Sequence, residues 1–368
     1  MIWQNAAKIK PRNRNAGEKV GGPKYAELAE RLRGEIAAGV FNRGEKLPSE
    51  NELTAQTGYS RQTIRQAMAV LEREGFTERI RGSGTYVRST RPRRAATHNV
   101  AVVTTYIGEY IFPDILHGIA GVLSAGGYTP LLSATGNRVD NERRILTELL
   151  EKPIDGLIVE GTKTALPNPN LDIYQRFARL DIPVVFINGC YADLPEPIYV
   201  VADDQAGGRS ACQLLIQNGH RQIAGIFKSD DVQGLRRCAG YQEALRSAGL
   251  TQRDDQLLWF TTENRNAQLA AGALRTLRDC TAAVCYNDEV ALEVLRLLAA
   301  AGRSAPRRME LMSFDNSTLA RLSPVPFRSL SNPKEQLGRI AAEKLLRILN
   351  GESEKSEVLP WSLEAGVD

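Results

Sequence analysis

From residue 99 onward the chain repeats one unit, a short apolar run followed by a helix-length stretch. The runs lie at 100–103, 130–133, 156–159, 184–187, 223–227, 282–285 and 311–314. Helical periodicity fills 115–123, 143–150, 206–215, 241–248 and 290–298 between them. Strands joined by helix-length crossovers pair in parallel, and a parallel sheet needs helices over both faces. One compact sheet of this kind does not absorb about 270 residues, so two lobes are expected, each a doubly wound parallel α/β sheet.

The first hundred residues differ in charge. Residues 1–97 hold 19 Lys/Arg against 10 Asp/Glu, whereas 98–368 hold 28 against 33. A small basic module on a mildly acidic body points to a polyanion partner for the front end alone. An apolar fraction of 42% excludes a disordered chain. No apolar run approaches the ~18 residues that cross a membrane, so no membrane partner is expected. Residues 1–22 are polar and basic, with no apolar signal segment. Five dispersed cysteines form neither a disulfide framework nor a metal motif, which fits a reducing cytoplasm.

The front module divides readily. Residues 1–22 predict a flexible basic arm. A helix begins at Lys24, with Tyr25, Leu28, Leu32 and Ile36 on one face. Ser49-Glu50-Asn51-Glu52 has capping-box spacing and opens a second helix. Gly58 permits a left-handed turn, and Ser60 can cap a third helix. That helix buries Ile64, Ala67, Met68 and Leu71 and presents Arg61, Gln62 and Arg65 on another face. Two short strands follow around Arg81-Gly82-Ser83-Gly84. The order predicts a winged helix-turn-helix over 23–88. Its third helix fits a major groove, and its glycine tip can approach a duplex closely.

These residues resemble the DNA-binding domain of GntR-type bacterial regulators. The likeness rests on Lys24-Tyr25, on 47–53, on Ser60-Arg61-Gln62-Thr63-Ile64-Arg65 and on 82–87. It implies double-stranded operator DNA as partner, contacted by Lys24, Glu50, Arg61, Gln62, Thr63, Arg65, Arg81 and Gly82. Glu50 has two readings, a carboxylate favouring its helix dipole or an acceptor for a cytosine amino group. Residues 89–98 are basic and interrupted by Pro92, and read as a linker.

The body, 99–368, carries no GxSxG, HExxH, P-loop lysine or GxGxxG after its first strand, so no catalytic residue, metal site or cofactor is assigned. His98, His117 and His220 stand far apart. Gly207-Gly208 opens a helix without the Lys or Ser/Thr of a phosphate loop, which favours close packing. Polar residues gather instead beyond strand ends, where such sheets bind ligands. They are Tyr106, Glu109, Tyr110 and Phe112, then Glu160 and Lys163, then Asn188. The second half offers Lys228, Asp230, Asp231 and Arg237, then Asn287-Asp288 and Asp315. Carboxylates, amides and an arginine suit neighbouring hydroxyls, and aromatic rings suit a sugar face. Asn287, Asp288 and Asp315 can equally be helix caps.

The body resembles the sugar-binding domain of LacI-type repressors, itself similar to periplasmic binding proteins. Segments 104–113, 140–144, 155–160, 225–231 and 285–289 are similar to one subgroup, the arabinose-responsive repressors, which join a GntR-type head to a LacI-type body. The resemblance implies effector contacts at Tyr106, Glu109, Tyr110, Phe112, Glu160, Asn188, Lys228, Arg237, Asn287 and Asp315, with L-arabinose as effector and a homodimer as the working form. Helices 115–123 and 146–150 are candidate dimer faces, or core. The alternatives are a regulator answering to another sugar or a phosphosugar, and a transporter's solute-binding protein.

Overall fold

The computed structural model describes residues 23–42, 44–88, 96–302 and 309–363. The expected arm, 1–22, and most of the expected linker, 89–95, lie outside them. The chain divides into two compact units after Ala96.

In the first unit, α1 (Lys24–Ala37), α2 (Glu50–Thr57) and α3 (Arg61–Arg73) precede a hairpin of β1 (Thr77–Ile80) and β2 (Gly84–Val87). Local chemistry sets these boundaries. Ser49 Oγ accepts from Glu52 N at 3.3 Å while Glu52 Oε2 accepts from Ser49 N at 2.7 Å, so the capping box is complete. Ser60 Oγ accepts from Thr63 N at 3.2 Å and starts α3. Gly58 ends α2 in the left-handed region, with φ 70°. Leu28, Leu32, Ile36, Leu53, Ile64 and Leu71 close one core with Phe76 and Val87. Tyr25 and Met68 lie at its rim, half-buried rather than within it.

The second unit contains two six-stranded sheets. The first lobe holds β3 (Asn99–Thr104), β4 (Thr129–Ala134), β5 (Gly156–Glu160), β6 (Val184–Ile187) and β7 (Ile198–Ala202). Helices α4 (Phe112–Ala125), α5 (Val139–Leu150) and α6 (Leu171–Arg179) cover it. The second lobe holds α7 (Asp204–Gln217), β8 (Ile223–Lys228), α8 (Val232–Ser247), β9 (Leu257–Phe260) and α9 (Arg265–Thr276). It continues through β10 (Ala282–Cys285), α10 (Asp288–Ala300), β11 (Glu310–Phe314), α11 (Thr318–Arg321) and β12 (Arg328–Ser331). The chain then returns through α12 (Lys334–Leu349), which packs on α4, and adds β13 (Glu357–Leu359) to the first sheet and β14 (Ser362–Leu363) to the second. Pairing is parallel throughout except for β14.

All seven expected body strands are present, and five more complete the sheets. β9 (Leu-Leu-Trp-Phe) and β7 (Ile-Tyr-Val-Val-Ala) are apolar runs that strand reading passed over, whereas the other three lack its signal. β7 follows β6 through a loop rather than a helix. β12 (Arg-Ser-Leu-Ser) has a single apolar residue, and β13 and β14 span 3 and 2 residues. These late elements matter because the chain passes between the lobes three times, at 203, 332–333 and 360–361. The apolar faces of 115–123 and 146–150 are core: Ile115, Ile119, Leu123, Leu146 and Leu149 are buried within the chain.

α7 and α8 touch through their backbones. A Cβ on Gly208 would stand 2.0 Å from the Arg237 carbonyl oxygen, and one on Gly240 would stand 1.9 Å from that of Gln205. Gly207 meets the Trp361 ring. The glycine pair therefore serves close packing and fixes the turn of α8 that carries Arg237. Gly208→Ala should lower the unfolding free energy by about 1–3 kcal/mol, the range for overpacking. Urea unfolding checks this, and a loss below roughly 0.5 kcal/mol would contradict the backbone contact.

Candidate ligand cleft and nucleic-acid interface

The carboxyl ends of both parallel sheets face one cleft of about 220 Å³ within the second unit. Parallel sheets carry ligands at this edge, because their connections leave crevices there. All ten residues expected in a ligand site line it: Tyr106, Glu109, Tyr110, Phe112, Glu160 and Asn188 from the first lobe, and Lys228, Arg237, Asn287 and Asp315 from the second.

Arg237 is the most constrained of them. It is buried, and its guanidinium lies 4.5 Å from the ring centre of Phe314, 4.9 Å from Trp361 and 5.0 Å from Tyr286. Nε donates to Asp204 Oδ1 at 2.8 Å, and Nη1 donates to the Tyr286 carbonyl at 2.6 Å. Asp315 Oδ1 stands 3.9 Å from Nη2. A buried charge persists only when its partners replace lost water, and Asp204, Asp315 and the ring faces do so here. Burial pushes the Asp204 carboxyl up to about 6, against the pull of Arg237. Asp204 starts α7 directly after β7, and sequence reading missed it because it missed that strand.

On the first lobe, burial also raises the Glu160 pKa, opposed by hydrogen bonds. Its Oε2 accepts from Thr105 N at 2.8 Å and Thr105 Oγ1 at 2.5 Å, and its Oε1 accepts from Asn188 Nδ2 at 2.8 Å. Tyr110 spans the cleft, donating from its hydroxyl to Asp315 Oδ2 at 2.5 Å and accepting from Asp288 N at 3.2 Å. Tyr110, Asn188 and Asp315 take φ values of 56°, 61° and 94°. Non-glycine residues adopt that region at a cost of order 1–3 kcal/mol, and such strain concentrates at functional sites.

The capping alternatives divide. Asn287 Oδ1 does cap α10, accepting from Val290 N at 3.1 Å, while the residue also lines the cleft. Asp288 braces Ser317 and Ser329 and faces away. Asp315 caps no helix. Lys163 leaves the cleft and pairs with Glu263 across its mouth, where Asn137 also donates to Thr262 Oγ1 at 2.6 Å. Lys228 pairs with Asp231; burial works against its charge, but Asp231 and Asp230 outweigh that and raise its pKa. Tyr286, Arg265 and Glu289 line the cleft without having been singled out, Arg265 pairing with Glu289 at 2.9 Å.

In the first unit, Arg61, Gln62 and Arg65 are exposed on α3, and Arg81 and Gly82 form the exposed hairpin tip. Thr63 is half-buried, its hydroxyl 2.9 Å from that of Ser60. Lys24 Nζ lies 5.8 Å over the Tyr59 ring. Glu50 sits between two arginines, 3.5 Å from Arg65 and 3.6 Å from Arg79. Beyond starting its helix, it therefore ties α3 to the wing. Arg79, on β1 two positions before the hairpin tip, escaped sequence reading.

The comparisons with known proteins agree with this division. Residues 24–87 match the bacterial regulatory proteins of the gntR family, and residues 212–364 match the periplasmic binding protein-like domain. The arabinose metabolism transcriptional repressor of Geobacillus stearothermophilus is 37% identical over 337 residues, covering 90% of this chain and 92% of that protein. The chain belongs to this family of repressors. Its counterpart in Halalkalibacterium halodurans is 35% identical, over 89% of this chain and 90% of that protein. The structure titled transcriptional regulator CelR-cellobiose complex matches with TM-score 0.64 and 25% identity, over 87% of this chain and 99% of that one.

In this repressor the raised Asp204 pKa carries a sign. An unfolded Asp titrates near ~3.9, so the folded chain holds the extra proton between there and about 6. The resulting stability is fully present below ~3.9 and is lost as pH rises through the folded value. Urea unfolding of the wild type and Asp204→Asn between pH 4.5 and 7.5 should show a wild-type decline absent from the variant. Parallel pH profiles would contradict the assignment.

Proposed function

We propose that this chain represses transcription by binding operator DNA through its winged head, and that a neutral sugar in the cleft releases it. The carrying observation is the pairing of charges. Six carboxylates and three cations line the cleft, and each cation already has an acidic partner: Lys228 with Asp231, Arg237 with Asp204, Arg265 with Glu289. An incoming phosphate would find no unengaged cation and would face Glu109 and Glu160. A neutral polyol can donate to those carboxylates and accept from Asn188 and Asn287. Tyr106 and Phe112, packed edge to face at 5.7 Å, supply an apolar wall. L-arabinose is the first candidate, supported by the names of two relatives, both arabinose metabolism transcriptional repressors.

The cleft binds without turnover, and the protein acts in the cytoplasm with no cofactor. A sugar touching both lobes favours their closed arrangement, and closure alters how the heads are presented. Linkage then requires operator DNA to weaken sugar binding by the same factor. On the duplex, Arg61, Gln62 and Arg65 read the major groove, Lys24 and Thr63 hold phosphates, and Arg81 and Gly82 follow the minor groove.

Calorimetric titration with pentoses, hexoses and their phosphates tests the reading. A neutral pentose should bind, and its phosphate ester should bind at least tenfold more weakly. Arg65→Ala should cost about 1–3 kcal/mol of operator affinity and leave sugar affinity unchanged. Preference for the phosphate, or unchanged operator affinity, would overturn the respective assignment.

The working form is a homodimer, so that two heads match two operator half-sites. Exposed apolar residues on the body favour it: Leu319 on α11 and Leu322 at its C-terminal cap, Leu322 being 76% exposed. Leu322→Glu should shift light-scattering mass towards the monomer. An unchanged mass would place the interface elsewhere.

A further inference from the structure

Asp155 takes no part in the cleft, yet it makes one of the densest polar contacts in the first lobe. Its carboxylate accepts from Thr97 N at 2.9 and 3.0 Å, Thr97 Oγ1 at 2.9 Å and His98 N at 2.9 Å. Two successive backbone N–H groups converging on one carboxylate form the concave arrangement that binds anions. His98 is held there with φ 56°, and its ring lies 5.3 Å from that of Tyr128. Its carbonyl accepts from Thr129 N at 2.7 Å. Asn99 Nδ2 then reaches the Pro153 carbonyl at 3.0 Å. The chain is therefore stitched down where it enters the body, before its first strand begins.

The position of the stitch gives it meaning. Asp155 precedes β5, and Glu160, which lines the cleft, is the last residue of β5. All five residues of that strand are buried, and β3 and β6 flank it. A strand of this length spans roughly 16 Å and moves as a rigid element. One end carries a cleft carboxylate, and the other carries the carboxylate that grips the entering chain.

We propose that Asp155 is the joint through which movement of the first lobe reaches the DNA-reading head, by fixing Thr97 and His98 to the base of β5. This rests on the repressor reading above. Without the clamp the lobes still close on sugar and the head still reads DNA, but closure no longer reaches the head. Asp155 is thus a positioning residue, acting on coupling rather than on either affinity.

The test measures three quantities in the full-length protein: operator affinity without sugar, operator affinity with saturating L-arabinose, and sugar affinity without DNA. Wild type should show an effector-driven drop in operator affinity within the roughly 5–150-fold range of allosteric coupling. Asp155→Ala should reduce that drop to below about twofold while sugar affinity stays within about twofold. Thr97→Val, which removes one donor, should give an intermediate drop and decides the matter should Asp155→Ala fail to fold. A wild-type drop in both variants overturns the joint. Sugar affinity and coupling falling together also overturn it, since Asp155 would then merely support the cleft. No drop in the wild type itself overturns the repressor reading, and the joint with it.

Discussion

A guanidinium removed from water must find its counter-charges, its acceptors and its packing within the protein. Arg237 meets that demand with groups from distant parts of the chain. Asp204 follows the first passage between lobes, Asp315 follows β11, and Trp361 lies in the third passage. Removing any one partner would leave a buried charge short of compensation, which is far costlier than losing a surface pair. The residue therefore does more than line the cleft. It holds two of the segments in which the chain passes between the lobes, and Gly208 and Gly240 let α8 lie close enough to place it.

The same economy of charge gives the cleft its chemistry. Lys228, Arg237 and Arg265 are compensated within the protein, so the free hydrogen-bonding capacity belongs to carboxylates and amides. Such a surface discriminates by polarity of hydrogen bonding rather than by charge, and suits hydroxyl groups. Tyr110, Asn188 and Asp315 hold their side chains through strained backbone, and Tyr110 joins the lobes by bonding Asp315. Away from the cleft, a buried carboxylate again does the positioning. Glu142 accepts from Tyr174, Tyr191, Asn168 and Asn170, and Tyr191 in turn accepts from Thr162 N at the cleft's edge.

The head uses charge differently. Its arginines are exposed, and Glu50 draws Arg65 and Arg79 together across helix and wing. Exposed pairs of this kind contribute little stability, so the arrangement can yield to a duplex at small cost. The buried pair of the cleft resists such exchange, because each partner would be left in a low dielectric.

Sequence alone determined the elements whose cause is local. Capping boxes, left-handed glycines and apolar periodicity act within a few residues, so the head's three helices and hairpin and seven body strands were legible. That polar residues gather beyond the strand ends was legible too, because in a parallel sheet those ends must share an edge, whereas the set of ten came from the family resemblance. The short or polar strands β12 to β14 were not legible, and the apolar runs of β7 and β9 were passed over. Nor was the role of each polar group once gathered. Tyr110 and Asp315 are 205 positions apart, and Arg237 and Asp204 are 33. Whether a carboxylate is free to meet a ligand, neutralises an arginine, caps a helix or grips an incoming chain depends on such distant partners. Only the folded chain brings them within hydrogen-bond reach, because desolvation and pairing are properties of a place rather than of a residue.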